Sequence, residues 1–180
     1  MVTFRDLTEL DLPTIRPWFD DPETRHWLGG WTWPEGKLAL AGPGRHTLLA
    51  CLDATPAGLV DIDIGNEQRA AFAIVVAPDL RRSGLGQNIV AALVADERFT
   101  EVSEWLAGVE GGNIASQRLL IRCGFTRMTD EDPEGFSYFA RRRSGWPRLP
   151  WQPPWSATRA DALPQSVARK RMPTDSVAPR

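Results

Sequence analysis

With 180 residues, 42% hydrophobic and 24% charged, the chain is long enough for one domain with a buried core and some residues beyond it. No apolar run is long enough to cross a bilayer and no basic-then-apolar leader opens the chain, so a soluble cytoplasmic protein without membrane contact is expected. The net charge of −2 hides an asymmetry, +7 on residues 141–180 and −9 on the first 140, which argues against a nucleic-acid-binding body and for cationic partners.

"TFRDL" (3–7) predicts a first strand, and "TELDLPTIRPWFDD" (8–21) a helix opened by Thr8 as its cap, with Leu12, Ile15 and Phe19 on one side. A Trp-rich turn-and-helix region covers 22–42. Three strand-like runs follow, "HTLLACLD", "AGLVDIDIG" and "RAAFAIVVA", and their short connections predict an antiparallel meander. Leu85, Ile89, Ala92, Leu93 and Phe99 then share a helical face, with Gly84 and Gly86 at its start. "SEWLAGVE" reads as a further strand. "NIASQRLLIRCGF" reads as a helix with Asn113 as cap and Gly124 in the stop position, and "FTRM" and "FSYFARR" as closing strands. Residues 144–180 are proline-rich and without sustained periodicity, so a partly disordered tail is expected, its Trp146, Trp151 and Trp155 suited to extended docking on the body.

The chemistry concentrates where strand passes into helix, at "RRSGLG" (81–86). A helix start exposes unpaired N–H groups and the positive end of a dipole, and glycines let the backbone close on an anion. Pyrophosphate is the expected guest, with Arg81 and Arg82 adding charge-assisted bonds. "GLGQNI" lacks the third glycine of a dinucleotide fingerprint, and no Gly-Lys-Ser/Thr ending makes a P-loop. The plainer alternative is a tight turn and nothing more. Cys51 and Cys123 share no ligand spacing with His26 or His46, so no metal is expected.

The order of parts, a meander, an Arg-x-x-Gly-x-Gly helix start, a strand, and an Asn-capped helix ending in Gly-Phe, resembles the GNAT superfamily of acyl-CoA-dependent N-acyltransferases over most of residues 1–140. The resemblance implies an α/β fold, a central mixed and mostly antiparallel sheet flanked by helices, in a domain over residues 1–143. It implies acetyl-CoA as acyl donor, its pyrophosphate wrapped by the loop of Arg81, Gly84 and Gly86, with Arg82, Ser83, Leu85 and Gln87 supplying backbone groups of the same turn. It also implies that the strand at Ile74, Val75 and Val76 splays from the next, Trp105 to Val109, so that backbone groups in the gap bind the pantetheine arm and stabilise an oxyanion. Asn113 matches a position that contacts that arm, and Ser116, one turn on, a position near the sulfur; each also reads as an ordinary cap or surface residue. Many members carry a tyrosine that protonates the departing thiolate where this chain has Leu120. Tyr138, its only tyrosine, is left as a substitute acid or a core residue. "RPWFDDPETRHWLGGWTW" looks like, more loosely, the acceptor region of the aminoglycoside and ribosomal-protein acetyltransferase branches.

An amine acceptor is mostly protonated at neutral pH and must lose a proton before attack. Asp61 and Asp63 alternate with Val60, Ile62 and Ile64, which places both acids on one face of a strand beside the cofactor strand. They are the first candidates for the base, ahead of Glu67, Glu110, His26 and Glu35. Trp27, Trp31 and Trp33 fall where the acceptor site is walled, and aromatic faces with acids suit a cation. The reading is acetyl transfer to a primary amine of a small cationic acceptor, aminosugar-like or polyamine-like, by direct attack in a ternary complex. Alternatives are a non-catalytic acyl-CoA sensor and a protein N-terminal acetyltransferase of the ribosomal-protein type. Nucleic acid enters only through the basic tail, and a homodimer is left open.

Overall fold

Period-two alternation of apolar residues carries the three central strands, and a single crossover helix decides how the rest of the sheet is built. A computed structural model describes residues 1–30, 32–40 and 42–145; Trp31 and the tail reading from residue 146 onward lie outside the described residues. In chain order the elements are β1 (Val2–Asp6), α1 (Leu12–Asp20), α2 (Pro22–Leu28), α3 (Thr32–Ala39), β2 (Arg45–Leu52), β3 (Thr55–Ile64), β4 (Arg69–Val76), α4 (Leu85–Ala95), β5 (Glu104–Glu110), α5 (Ile114–Arg122), β6 (Thr126–Arg127) and β7 (Phe136–Arg142). The strands form one sheet in the order β1-β2-β3-β4-β5-β7-β6. Every neighbouring pair is antiparallel except β4 and β5, which the α4 crossover makes parallel. This is the mixed, mostly antiparallel sheet expected from the resemblance.

Side chains alternate across each strand, so the sheet has two differently covered faces. On one, Val60 and Ile62 join Leu48, Phe72 and Trp105 beneath Leu85, Ile89 and Leu93 of α4 and Leu120 of α5. On the other, Leu59, Leu49 and Val75 pack against Ile15, Trp18 and Phe19 of α1 and Trp33 of α3. The parity of β3 thus places Asp61 and Asp63 on the α1–α3 face, the side away from α4.

Two boundaries differ from the expectation. The helix expected over 8–21 opens with a separate 3-10 turn, Glu9–Asp11. The cap runs in reverse there: the Asp11 carboxylate accepts from the Thr8 N–H (3.0 Å) and hydroxyl (2.8 Å) and from both Nη atoms of Arg5 (2.7 and 2.6 Å). Phe99 does not belong to the α4 face either. The helix stops at Ala95, and Asp96, accepting from the Arg98 N–H, starts a 3-10 turn from which Phe99 reaches the Trp105 ring.

The Arg5 bonds, ahead of burial, hold the Asp11 carboxyl well below the usual carboxylate range. A lowered folded-state value means stability that is present above the ordinary Asp range near pH 4 and lost as pH falls below it. Asp11→Asn should therefore lower the unfolding free energy by about 1–2 kcal/mol at pH 7. In urea titrations the gap to the parent chain should close on acidification below about pH 4.

Candidate active site

Parallel pairing between β4 and β5 lasts three residues, Arg69 with Glu104, Ala70 with Trp105 and Ala71 with Leu106. Beyond them β5 stays paired along its whole length with β7, while Phe72–Val76 of β4 keep only their β3 partners. The strands therefore splay after Leu106. Trp105, expected in the splayed part, is still paired. At the closed end the Glu104 carboxylate, 3% exposed, takes Arg69 on one oxygen (2.7 and 2.9 Å) and Arg142 on the other (2.8 and 3.1 Å), tying β4, β5 and β7 together.

A cavity of about 500 Å³ fills the opening. Strand parity shows that it joins both faces of the sheet. Phe72, Ile74, Val76, Ala107 and Val109 line it from the α4–α5 side, and Asp61, Asp63, Ala73, Gly108, Glu110 and Tyr138 from the other. A molecule held under α4 and α5 can thus meet a second one arriving from the α1–α3 face.

At the α4 end, the N–H groups of Arg82, Ser83, Gly84, Leu85 and Gly86 reach no acceptor among the described residues; the first helix bonds run from Gln87 and Asn88 to the Gly84 carbonyl (3.0 and 3.2 Å). Gly84, the N-cap, has φ +84°, and a Cβ there would meet nothing within 4 Å, so its left-handed conformation leaves the amides uncovered. Gly86 does a different job: a Cβ would stand 3.3 Å from Leu119 and 3.5 Å from Val76, so glycine lets α4 close on α5 and β4. Ile74, Val75, Val76, Arg81, Arg82, Gly84, Gly86 and Gln87 all line the cavity. Ser83 and Leu85 do not: the Ser83 hydroxyl turns back to the Leu80 carbonyl (2.7 Å), and Leu85 is buried in the core.

The Arg81 guanidinium is engaged by Asp21 (2.9 Å), Glu23 (2.8 Å) and the Thr24 hydroxyl (2.5 Å) at the start of α2. Its side chain anchors the loop to the helix that walls the other side of the cavity, and Arg82, at φ +61°, and Arg122 of α5 are the cavity-lining cations without such a clamp among the described residues. Burial alone would raise the Asp21 carboxyl; the Thr24 N–H and Arg81 outweigh it and hold it below its ordinary value. Gly84→Val puts a β-branched residue in a left-handed position at a strain of about 1–2 kcal/mol. The acetyl-CoA that the sequence resemblance implies should then bind about tenfold more weakly by calorimetry; an unchanged affinity would remove the loop from the expected donor site.

Asn113 caps α5, its Oδ1 accepting from the Ser116 N–H (3.1 Å), and both residues line the cavity. Leu120 also lines it but is 3% exposed and packed in the core, so nothing at that position can move a proton. Tyr138 lines the cavity on the Asp61 face, with its hydroxyl 2.9 Å from Asp132 Oδ2. Sheet parity thus separates Tyr138 and Ser116 onto opposite faces.

Asp61 stands opposite Ala73 of β4, two residues past the last β4–β5 pair. It accepts from the Thr47 hydroxyl (3.1 Å) and forms an ion pair with Lys37 Nζ of α3 (2.5 Å). Burial raises its carboxyl above the ordinary value despite the Lys37 charge. Asp63, on the same face, is more open, 44% exposed beside Arg45 (3.7 Å). Of the lesser candidates, Glu110 lines the cavity while His26, Glu35 and Glu67 stand outside it. Trp27 is a wall; Trp33 is buried, stacks on Phe19 and turns its ring toward Lys37 Nζ, 5.5 Å away. Sequence reading missed Lys37 and Glu104, whose roles arise from contacts between distant segments, and Arg122, which the packing of α5 brings to the cavity.

The acetyltransferase (GNAT) family profile matches residues 5–125. The chain belongs to the GNAT family of acetyltransferases. This acetyltransferase is 32% identical over 136 residues to the Bacillus subtilis (strain 168) protein named uncharacterized N-acetyltransferase YfmK, covering 74% of its own length and 91% of the relative's. Its fold matches the aminoglycoside acetyltransferase AAC(6')-Ib solved with coenzyme A, at TM-score 0.68 and 23% identity over 79% of this chain and 95% of that one. It also matches an acetyltransferase from Thermus thermophilus, at TM-score 0.67 and 20% identity over 79% and 97%. Among the described residues no helix is long and apolar enough to cross a membrane.

Proposed function

We propose that this acetyltransferase moves the acetyl group of acetyl-CoA to a primary amine of a small cationic acceptor by direct attack while both are bound. The observation that carries the reading is the opening between β4 and β5, with free amides of the 82–86 loop at one end and Asp61 with Asp63 on the opposite face. The residues present suit the donor. The loop amides and Arg82 would hold its phosphates, Asn113 and the unpaired edge of β4 its amide-bearing arm, and its thioester supplies the activated acyl group.

On the other face, Asp61 would take the proton that an acceptor ammonium must shed, and Trp27 and Glu110 add aromatic and acidic wall. The acidic body supports a cationic acceptor, and so do fold neighbours solved with kanamycin and ribostamycin. With Leu120 in place of a proton donor, the departing thiolate takes its proton from the attacking amine, which a thiolate near neutral pH tolerates. Thiol release measured across polyamines, aminosugars, neutral amines, amino acids and a peptide with a free N-terminus tests the reading. Turnover with the cationic small amines is expected; reaction with only neutral or acidic amines, or only with the peptide, would overturn it.

A further inference from the structure

We propose that Lys37 is itself an acetylation site, its side-chain amine taking an acetyl group from acetyl-CoA held in the β4–β5 opening of the same chain. The inference rests on the donor reading above and adds an acceptor that the chain carries. The sequence has two lysines, Lys37 and Lys170, among 21 basic residues. Lys37 lines the cavity, and the other cations lining it are Arg81, Arg82 and Arg122, whose guanidinium groups keep their protons and are poor nucleophiles. Lys37 is therefore the amine that the described part of the site presents.

Its surroundings are those an amine acceptor needs. Nζ lies 2.5 Å from Asp61 Oδ2 and 5.5 Å from the centre of the Trp33 ring, an ammonium held by a carboxylate and an aromatic face. Asp61 in turn stands opposite Ala73, beside the point where β4 leaves β5. The side chain is 26% exposed, so it is neither locked in the core nor free in solvent. Burial raises the Asp61 carboxyl and makes it the better proton acceptor at neutral pH.

The step balances with acetyl-CoA alone. Lys37 gives one proton to Asp61, and the neutral amine attacks the thioester carbon. The Nζ–C bond forms as the C–S bond breaks, and the second nitrogen proton leaves with the thiolate as free CoA thiol. Asp61 returns its proton to solvent. The resulting amide has no charge, so Asp61 loses its partner and is left to an external ammonium group.

The test uses the full chain with acetyl-CoA and no added amine, followed by peptide mass spectrometry and thiol titration. Acetyl-Lys37 is expected with about one equivalent of thiol per chain, at a rate independent of protein concentration, as an intramolecular step requires. Lys170 serves as an internal reference: the ratio of Lys37 to Lys170 acetylation should be at least about tenfold higher in native chain than in urea. Lys37→Arg keeps the charge beside Asp61 and should abolish the stoichiometric thiol release. Equal labelling of both lysines, labelling that speeds up with protein concentration, or an unmodified Lys37 in protein that binds acetyl-CoA by calorimetry would each overturn the inference while leaving the donor reading intact. Failure to bind acetyl-CoA at all would overturn both.

Discussion

Replacing Glu104 by alanine is expected to lower the unfolding free energy by about 3–5 kcal/mol. The reason is the charge left behind. Arg69 is 9% exposed, and its guanidinium is matched by the Glu104 carboxylate that also receives Arg142. Removing the anion takes the shared carboxylate away from the buried Arg69, whereas removing both members of that pair does not, so Glu104→Leu combined with Arg69→Met should recover most of the loss. Urea unfolding of the three chains measures this directly. A single-variant loss below about 1 kcal/mol would show that the pair is no more than a surface ion pair in its energetics. The consequence extends to the site, because these residues stand at the parallel β4–β5 contact that sets where the opening begins. Glu104→Ala should therefore weaken acetyl-CoA binding even at temperatures where the chain is still folded.

The second large effect is on turnover. Asp61→Asn removes the proposed proton acceptor without changing side-chain size, and kcat/KM for an amine acceptor should fall about a hundredfold. Acetyl-CoA affinity should change less than about twofold, because the residues proposed to hold the donor's phosphates and Asn113 lie on the other face of the sheet. The parent's kcat/KM should rise with pH through a limb above the ordinary Asp range, since burial raises the Asp61 carboxyl, and the variant should lack that limb. Stability should move the opposite way. A raised folded-state value favours the protonated form, so what Asp61 contributes to stability is present below the ordinary Asp range and lost as pH rises through the raised value. At pH 7 the neutral Asn should therefore be no less stable than Asp, with Lys37, a quarter exposed, turning its ammonium toward water. A variant that keeps more than about half of the parent's kcat/KM would transfer the role to Asp63.

Much of this site could be read before any fold was in hand, and particular residues show why. The helix start at Gly84 and the Asn113 cap follow from local rules: a left-handed N-cap and an Asx side chain bonded three residues on are decided within one turn of chain. The shared face of Asp61 and Asp63 follows from strand periodicity alone. Arg81 shows the limit of such rules. Its charge beside the glycine loop suggested a phosphate ligand, but the guanidinium is taken by Asp21, Glu23 and Thr24, about sixty positions earlier in the chain. Leu85 and Ser83 were grouped with the loop for their backbone groups; only packing decides that the side chain of one enters the core and the hydroxyl of the other turns back onto Leu80.

The linear chain by itself determined the family, the order of strands and helices, the glycine-led helix start and the pair of carboxylates, because each is a matter of neighbours within a few residues. Tertiary structure alone decided that β4 leaves β5 after three pairs and that Glu104 locks the closed end. It alone put Lys37 on Asp61 and set the glycine loop and the two carboxylates on opposite faces of one opening. These depend on distances between segments 24 to 38 residues apart, such as Lys37 to Asp61 and Glu104 to Arg142. Local propensity carries no record of such contacts; they appear only when burial brings two charges together and makes each the other's solvent.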